Sequence, residues 1–310
     1  MISILKRLAT RINESIDGVF RRQAPENGTL PADFDADTYL KLNLDLQESG
    51  VDPKNHYLKY GRKENRAYRN SVSALMPKLD KSYDFDGLNS KHNHDFMIED
   101  RFCSAYDRGV KASGQDYQWY WRVHIGLWAA RSSLGVEGDF IECGVNRGFL
   151  SSAIMQDLDW DNTGRTFFLL DTFAGIDERY VSEKEKLGGV LDRNKSDLES
   201  GFYTSNLDSV QNNFSEWSNK RIVVGSIPET LGAITSRKIA FLHIDLNCSP
   251  PEVAALDALW NRMENGGIVL LDDYAYYGYQ PQKEGLDRWA RFKGISIASL
   301  PTGQGLIIKT

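Results

Sequence analysis

Three apolar runs, each ending in an acid at a turn, constrain the fold of this chain more than any other feature. The first, Gly138-Asp139-Phe140-Ile141-Glu142-Cys143-Gly144, leads through Val145-Asn146-Arg147 to Gly148. The second, Leu169-Leu170-Asp171-Thr172-Phe173, and the third, Leu270-Leu271-Asp272-Asp273-Tyr274, follow it with helix-period segments between. Short apolar runs bounded by turn residues read as strands buried on both faces. Parallel sheets of this kind bind ligands beyond the carboxyl ends of their strands. The acids and glycines fall there, so the order predicts a nucleoside-binding α/β sheet with a cation or hydroxyl-activating site at its rim.

The 310 residues hold one such domain plus smaller appendages. A net charge of -6 supplies no basic footprint, which argues against nucleic acid as a partner. Cys103, Cys143 and Cys248 lack paired metal spacing, and two of them fall at strands or strand ends. A reduced, cytoplasmic chain is expected rather than a disulfide scaffold. No apolar run approaches the roughly 20 residues of a membrane-spanning helix. Lys6, Arg7 and Arg11 interrupt the first segment, so it does not read as a signal peptide.

Residues 1–30 comprise an amphipathic helix over 1–22 and a polar break. Ile2, Leu5, Leu8, Ile12, Ile16, Val19 and Phe20 recur at helical spacing beside a modest basic excess. Such a helix either rests on an anionic membrane surface or docks on its own protein or a second subunit, making a homo-oligomer. Residues 31–66 read as two or three short helices, with Gly50 and Gly61 as stops and His56 packed beside Tyr57. Their pattern includes Phe34-Asp35 before Tyr39-Leu40, then Asn43-Leu44-Asp45-Leu46, Pro53, His56-Tyr57 and Gly61 through Arg66. It resembles a short helical module of bacterial glycosyltransferases and other polysaccharide-assembly proteins. Residues 67–95 are polar and read as a linker; His92 and His94 would need a third ligand to chelate a metal. Residues 96–134 are helical, and Trp119, Tyr120, Trp121 and Trp128 make them core or interface, although Arg122 or His124 can face a ligand.

Strands are expected near 139–143, 166–171, 221–224, 240–245, 267–272, 295–299 and 305–309, with helices near 148–158, 205–217, 251–264 and 281–292. Gly144 and Gly148 let the backbone approach a ligand, and Glu142 can attract a cationic amino-acid group. Asp171 can accept both ribose hydroxyls, and Ser226 sits where it can mark the adenine edge; either can instead cap a helix or turn. Period-two alternation puts His243, Asp245 and Asn247 on one side of their strand. Asp245, Asp272 and Asp273 at neighbouring strand ends repel one another unless a cation or shared proton offsets the charge. Oxygen ligands suit magnesium. Alternatively, Asp273 caps the next segment and a single acid faces the cleft.

Residues 119–310 resemble the macrocin, mycinamicin and novobiocin sugar O-methyltransferases, a family dependent on S-adenosylmethionine. The resemblance runs through Trp121-Arg122, Asp139 to Val145, Asp171-Thr172-Phe173-Ala174-Gly175, Gly225 to Leu231, Ile244-Asp245 and Gly266 to Tyr274. It implies a Rossmann-like seven-stranded methyltransferase sheet within residues 96–310. It also implies methyl transfer to a sugar or glycan hydroxyl, with magnesium held by Asp245, Asp272 and Asp273.

The family's general base lies two residues after the first metal acid, and here that position is Asn247. An amide cannot take the proton of a hydroxyl. A metal-acidified hydroxyl with a weaker base, a carboxylate (Asp272 or Asp273), or His243 would have to serve, with Asn247 orienting the substrate. Residues 179–206 form a long charged segment at the rim, read as a substrate cap or a surface loop, with Tyr180 and Tyr203 as sugar-stacking groups. Tyr274, Tyr276, Tyr277 and Tyr279 can shape the acceptor site. The readings left open are a methyltransferase of bacterial surface polysaccharide or its precursor, a non-catalytic glycan-binding or scaffolding protein, and a methyltransferase of another natural product.

Overall fold

A computed structural model describes residues 29–31, 34–47, 49–64, 66, 68 and 82–310. The amphipathic helix expected over 1–22 therefore lies outside the described residues. The chain divides into two units, residues 1–74 and 75–310.

The first unit is the short helical module. Helices α1 (Ala36–Leu42), α2 (Leu44–Gln47) and α3 (Pro53–His56) follow one another, and a further turn runs over Tyr57–Gly61. Asp35 and Asp52 begin α1 and α3 by accepting from the amides of Thr38 and Asn55, each at 2.7 Å. These side chains satisfy amides that have no partner inside the helix. Tyr39, Leu46 and Tyr57 form the small core, with Phe34 and Tyr68 packed on it. His56 is packed beside Tyr39, its Nδ1 3.0 Å from the phenol oxygen. The last turn ends at Gly61, which also allows close approach: a Cβ there would lie 2.1 Å from the Tyr39 hydroxyl.

The second unit opens with a hairpin inside the segment expected to be linker. Strands β1 (Tyr83–Phe85) and β2 (Leu88–Ser90) pair antiparallel around Asp86 and Gly87, both in the left-handed region (φ 51° and 70°). Helices α4 (Asp100–Ser113) and α5 (Tyr120–Ser133) lead into the main sheet. Its strands are β3 (Asp139–Cys143), β4 (Phe167–Asp171), β5 (Lys220–Val224), β6 (Ile239–Ile244), β7 (Met263–Leu271), β8 (Ala298–Ser299) and β9 (Gly305–Ile308). Their order is β5-β4-β3-β6-β7-β9-β8. The five strands β3 to β7 run parallel, and β9 and β8 close the sheet as an antiparallel hairpin.

After β3 the chain lays β4 and β5 on one side, then crosses to place β6 and β7 on the other. The first crossover helix, α6 (Phe149–Leu158), therefore starts where strand order reverses, and the sheet opens a crevice there. The segment expected as a cap is mostly helical, through α7 (Glu183–Leu187) and α8 (Val190–Glu199). A capping box between Ser182 and Glu185 starts α7. Glu185 also accepts from the Ser249 amide at 2.6 Å, fastening the cap to the start of helix α10 (Ser249–Trp260). Helices α9 (Leu207–Asn213) and α11 (Gln280–Lys293) complete the crossovers. All three cysteines are buried and free. No described helix is long and apolar enough to cross a membrane.

The core at the amino ends of the strands is aromatic. Phe140 is fully buried, with ring centroids 5.1 Å from Trp160, 5.8 Å from Phe167 and 5.2 Å from Phe241. Phe140→Ala should lower unfolding free energy by about 3–5 kcal/mol, because the three neighbouring rings cannot collapse into the space. Urea unfolding of the purified variant checks this; a loss below about 1 kcal/mol would show the core there to be loosely packed.

Candidate active site

The glycine turn after β3 is built to lie flat against its neighbours. Gly144 has φ of 92°, and a Cβ there would meet the Asp245 carbonyl oxygen at 1.7 Å. The next two amides, of Val145 and Asn146, donate to Asp171 Oδ2, each at 2.7 Å. The Phe173 amide donates to Asp171 Oδ1, also at 2.7 Å. Asp171 thus ties the β3 turn to the β4 turn, and the Thr172 hydroxyl lies 3.4 Å from its Oδ1. Gly148 begins α6 at φ of 84° against the Phe214 ring. Ser226 lines the same crevice, and its hydroxyl donates to Asp177.

Beside this turn lies a chain of alternating acids and bases. Glu142 on β3 and His243 on β6 occupy paired register positions. His243 Nδ1 lies 3.0 Å from Glu142 Oε1, and its Nε2 lies 3.6 Å from Asp272 Oδ1. The other Glu142 oxygen is buried without a partner. Asp245, Asp272 and Asp273 converge as the alternation of β6 and the end of β7 predict: one ligand oxygen from each lies within 4.8 Å of the others. Asp273 is not spent on capping the next segment, since it lines the crevice with the other two.

Three partners of this cluster come from distant segments. Arg122, in the first turn of α5, is 6 % exposed; it donates to Asp272 Oδ2 and, at 3.3 Å, to Asp273 Oδ1. Its Nε pairs with Asp86 at 2.9 Å. Gln304, fully buried at the final hairpin, donates to Asp272 Oδ1 at 2.9 Å. Sequence reasoning named Arg122 as able to face a ligand but gave it no partner, and it missed Asp86 and Gln304. The Asp86-Gly87 pair between Phe85 and Leu88 is a two-residue hairpin signal that would have pulled this stretch out of the linker. Nothing local marks Gln304. His124 takes no part: it stacks on Phe96 at 4.0 Å, and burial lowers its pKa to about 4.

These surroundings sort the titrating groups. Burial opposes charge on Asp272, yet Arg122 and His243 outweigh it and hold the carboxyl below its ordinary range. Asp273 is pushed up to about 6 by burial and by the Asp272 charge. Asp245 is raised well above its ordinary value by burial, with Asp272 and Asp273 adding repulsion. Among the described residues no cationic side chain pairs with it, and the Asn247 amide donates to its Oδ1 at 3.0 Å. Asn247 adopts φ of 58°, so the chain has left the strand there. Burial also opposes charge on His243, but Asp272 and Glu142 raise its pKa to about 10. His243 is thus engaged between two carboxylates, Glu142 and Asp272.

Aromatic side chains wall the acceptor side. Tyr203 from the end of the cap segment, and Tyr276 and Tyr279 after β7, line the crevice. Tyr180 lines it too, its hydroxyl donating to Glu229 at 2.7 Å. Tyr274 is buried and donates to Asp287, and Tyr277 is 98 % exposed; neither lines the crevice.

A parallel sheet with a reversed strand order, a glycine turn at the switch point and a closing antiparallel hairpin defines a Rossmann-like methyltransferase fold. Residues 129–297 match the macrocin-O-methyltransferase (TylF) family, and the chain belongs to it. The chain is 28 % identical over 150 residues to a Streptomyces olivaceus enzyme named 8-demethyl-8-(2,3-dimethoxy-α-L-rhamnosyl)-tetracenomycin-C 4′-O-methyltransferase. That match covers 46 % of this chain and 54 % of the relative, so the chain spans about half the length of the curated relative it matches. Among solved structures, the O-methyltransferase NovP superposes with a TM-score of 0.54 at 21 % identity, covering 66 % of this chain and 88 % of that one.

The raised His243 pKa has a sign for stability. Between its ordinary value of 6.5 and about 10 the folded chain keeps a proton that the unfolded chain releases. The stabilisation is fully present below 6.5 and lost as pH rises toward 10. The melting temperature of the ligand-free protein should therefore fall through this range, and more steeply than that of His243→Gln. Equal slopes in the two proteins would assign the loss to other groups.

Proposed function

We propose that this chain transfers a methyl group from S-adenosylmethionine to a sugar hydroxyl of a bacterial surface polysaccharide or its precursor. The observation that carries this reading is one crevice joining a glycine-turn nucleoside site to a buried acid cluster walled by tyrosines. The relative's printed name, a methyltransferase of a rhamnosyl group, supports a sugar acceptor. The helical module at 34–66, through its resemblance, supports a polysaccharide setting. The basic segment 1–22 would hold the enzyme at an anionic membrane face, where lipid-linked acceptors lie.

In the donor half, Asp171 and the hydroxyl of Ser226 orient the nucleoside. The unpartnered Glu142 oxygen suits the donor's ammonium group, and the excess of buried carboxylate suits its sulfonium charge. In the reaction the acceptor oxygen bonds to the methyl carbon as the carbon–sulfur bond breaks, leaving its electron pair on sulfur. The acceptor proton passes to the ionised member of the Asp245–Asp273 pair, where burial strengthens the hold on a proton, whereas Asp272 stays ionised on Arg122. The Asn247 amide holds Asp245 in position. Tyrosine rings pack on sugar C–H faces and exclude water, and positioning supplies much of the rate.

The acid cluster also fits a hard divalent ion. Among the described residues, Asp86, Glu142, Asp272 and Asp273 pair with Arg122 or His243, Arg193 adds positive charge near Asp273, and Asp245 pairs with no cation. Asp245, Asp272 and Asp273 would hold magnesium, which would act as a Lewis acid on the acceptor hydroxyl. A non-catalytic glycan-binding reading draws on one observation, the amide at position 247.

Calorimetric titration of S-adenosylmethionine and S-adenosylhomocysteine, with magnesium and with chelator, tests the donor site. Binding of both is expected; no binding under either condition moves the chain to the glycan-binding reading. Asp245→Asn should retain S-adenosylhomocysteine binding and lose about 100-fold or more in turnover on a panel of nucleotide-linked and lipid-linked sugars. Turnover equal to the parent protein would remove Asp245 from the chemistry.

A further inference from the structure

The Arg122 guanidinium stands beside the acids that would bind a cation, and it is fixed there from several sides. Its side chain is nearly buried, pairing with Asp272, Asp273 and Asp86, and the Tyr276 ring lies 4.5 Å from the guanidinium carbon. Asp86 is held by the tight β1–β2 turn, so the pairing does not depend on a mobile surface chain. A guanidinium remains charged at any physiological pH and cannot step aside by losing its proton.

We propose that Arg122 is a resident counter-ion of the acid cluster, placed by Asp86, that weakens the cluster's hold on a divalent cation. This rests on the reading of Asp245, Asp272 and Asp273 as a cation site. Two of those three carboxylates already share their charge with Arg122. A divalent ion among them would stand a few ångströms from a fixed positive charge in a buried setting, where charge repulsion is poorly screened. Asp245 alone would meet the ion without a cationic partner beside it. The cluster therefore gains part of its neutralisation from the protein itself, and its need for metal is graded rather than absolute. Arg122 and Asp86 both lie ahead of β3, so this control is supplied by the segment that leads into the sheet.

The test uses the full chain and manganese(II), a magnesium substitute whose binding is read by electron paramagnetic resonance. Parent, Arg122→Met, Arg122→Lys and Asp245→Asn proteins are titrated at pH 7.5, and their thermal shifts with the ion are recorded. Arg122→Met should bind manganese at least ~10-fold tighter than the parent, which corresponds to about 1.4 kcal/mol. It should also gain a larger thermal shift. Arg122→Lys keeps the charge and should stay within about threefold of the parent on the same conversion. If Arg122→Met folds poorly without metal, manganese should restore its cooperative melt, and failure to do so counts against the proposal. Equal affinity in parent and Arg122→Met, lost in Asp245→Asn, would overturn the counter-ion role while leaving the cation site intact. Binding that ignores Asp245→Asn, or no binding in any protein, would overturn the cation site and this inference together.

Discussion

Buried negative charge at the ends of three adjacent strands dominates this structure. β3, β6 and β7 lie side by side and deliver Glu142, Asp245, Asp272 and Asp273 to one small volume. Each carboxylate taken from water must find a partner, share a proton or await a ligand. The protein uses all three solutions on neighbouring groups. Asp272 is surrounded by Arg122, His243 and Gln304 and stays ionised. Asp245 has only an amide partner and resists ionisation, and one oxygen of Glu142 has no partner at all. The unequal distribution makes the cluster a site: a uniformly paired set would be structural, and a uniformly unpaired set would not fold.

The same logic ties the turns together. Asp171 spends most of its carboxylate on the amides of Val145, Asn146 and Phe173. Those amides would otherwise be unsatisfied at a turn where the backbone must lie flat against β6. Gly144 permits that approach because its neighbour is a carbonyl oxygen rather than a side chain. The crevice at this turn is thus shaped before any ligand arrives, which reduces the ordering that binding must supply.

The sheet was legible in the sequence because its signals are local. Apolar runs such as Phe241 to Ile244 can hardly be other than buried strands, and the acids that end them fall at the ligand-binding edge by topology alone. Convergence of Asp245 with Asp272 and Asp273 followed from strand adjacency. What the sequence hid depends on contacts across long separations. Gln304 reaches Asp272 from the final hairpin, and Asp86 reaches Arg122 from a stretch whose polar composition reads as linker. His243 shows a different limit: its strand face was foreseeable, but its protonation depends on Glu142 and Asp272 flanking it. The cap illustrates a third, since α7 and α8 are short and charged, and their docking through Glu185 to the start of α10 has no periodic signature.

Arg122 joins these threads. The strands and their turns supply the glycine turn and the acids, and the first turn of α5 supplies the positive charge that pairs with Asp272 and Asp273. Arg122 pairs with Asp86, Asp272 and Asp273 and His243 with Glu142 and Asp272, so five carboxylates share two paired cations and Asp245 pairs with neither. The remainder must be met by protons on Asp245 and Asp273, by a sulfonium donor, or by a metal ion. These three are chemically exclusive only in part, since a proton on Asp245 and a metal on Asp245 compete directly whereas a sulfonium nearby favours neither over the other. Asp245 is thus the member of the cluster left without a cationic partner, while the hairpin carrying Asp86 holds Arg122 against Asp272 and Asp273.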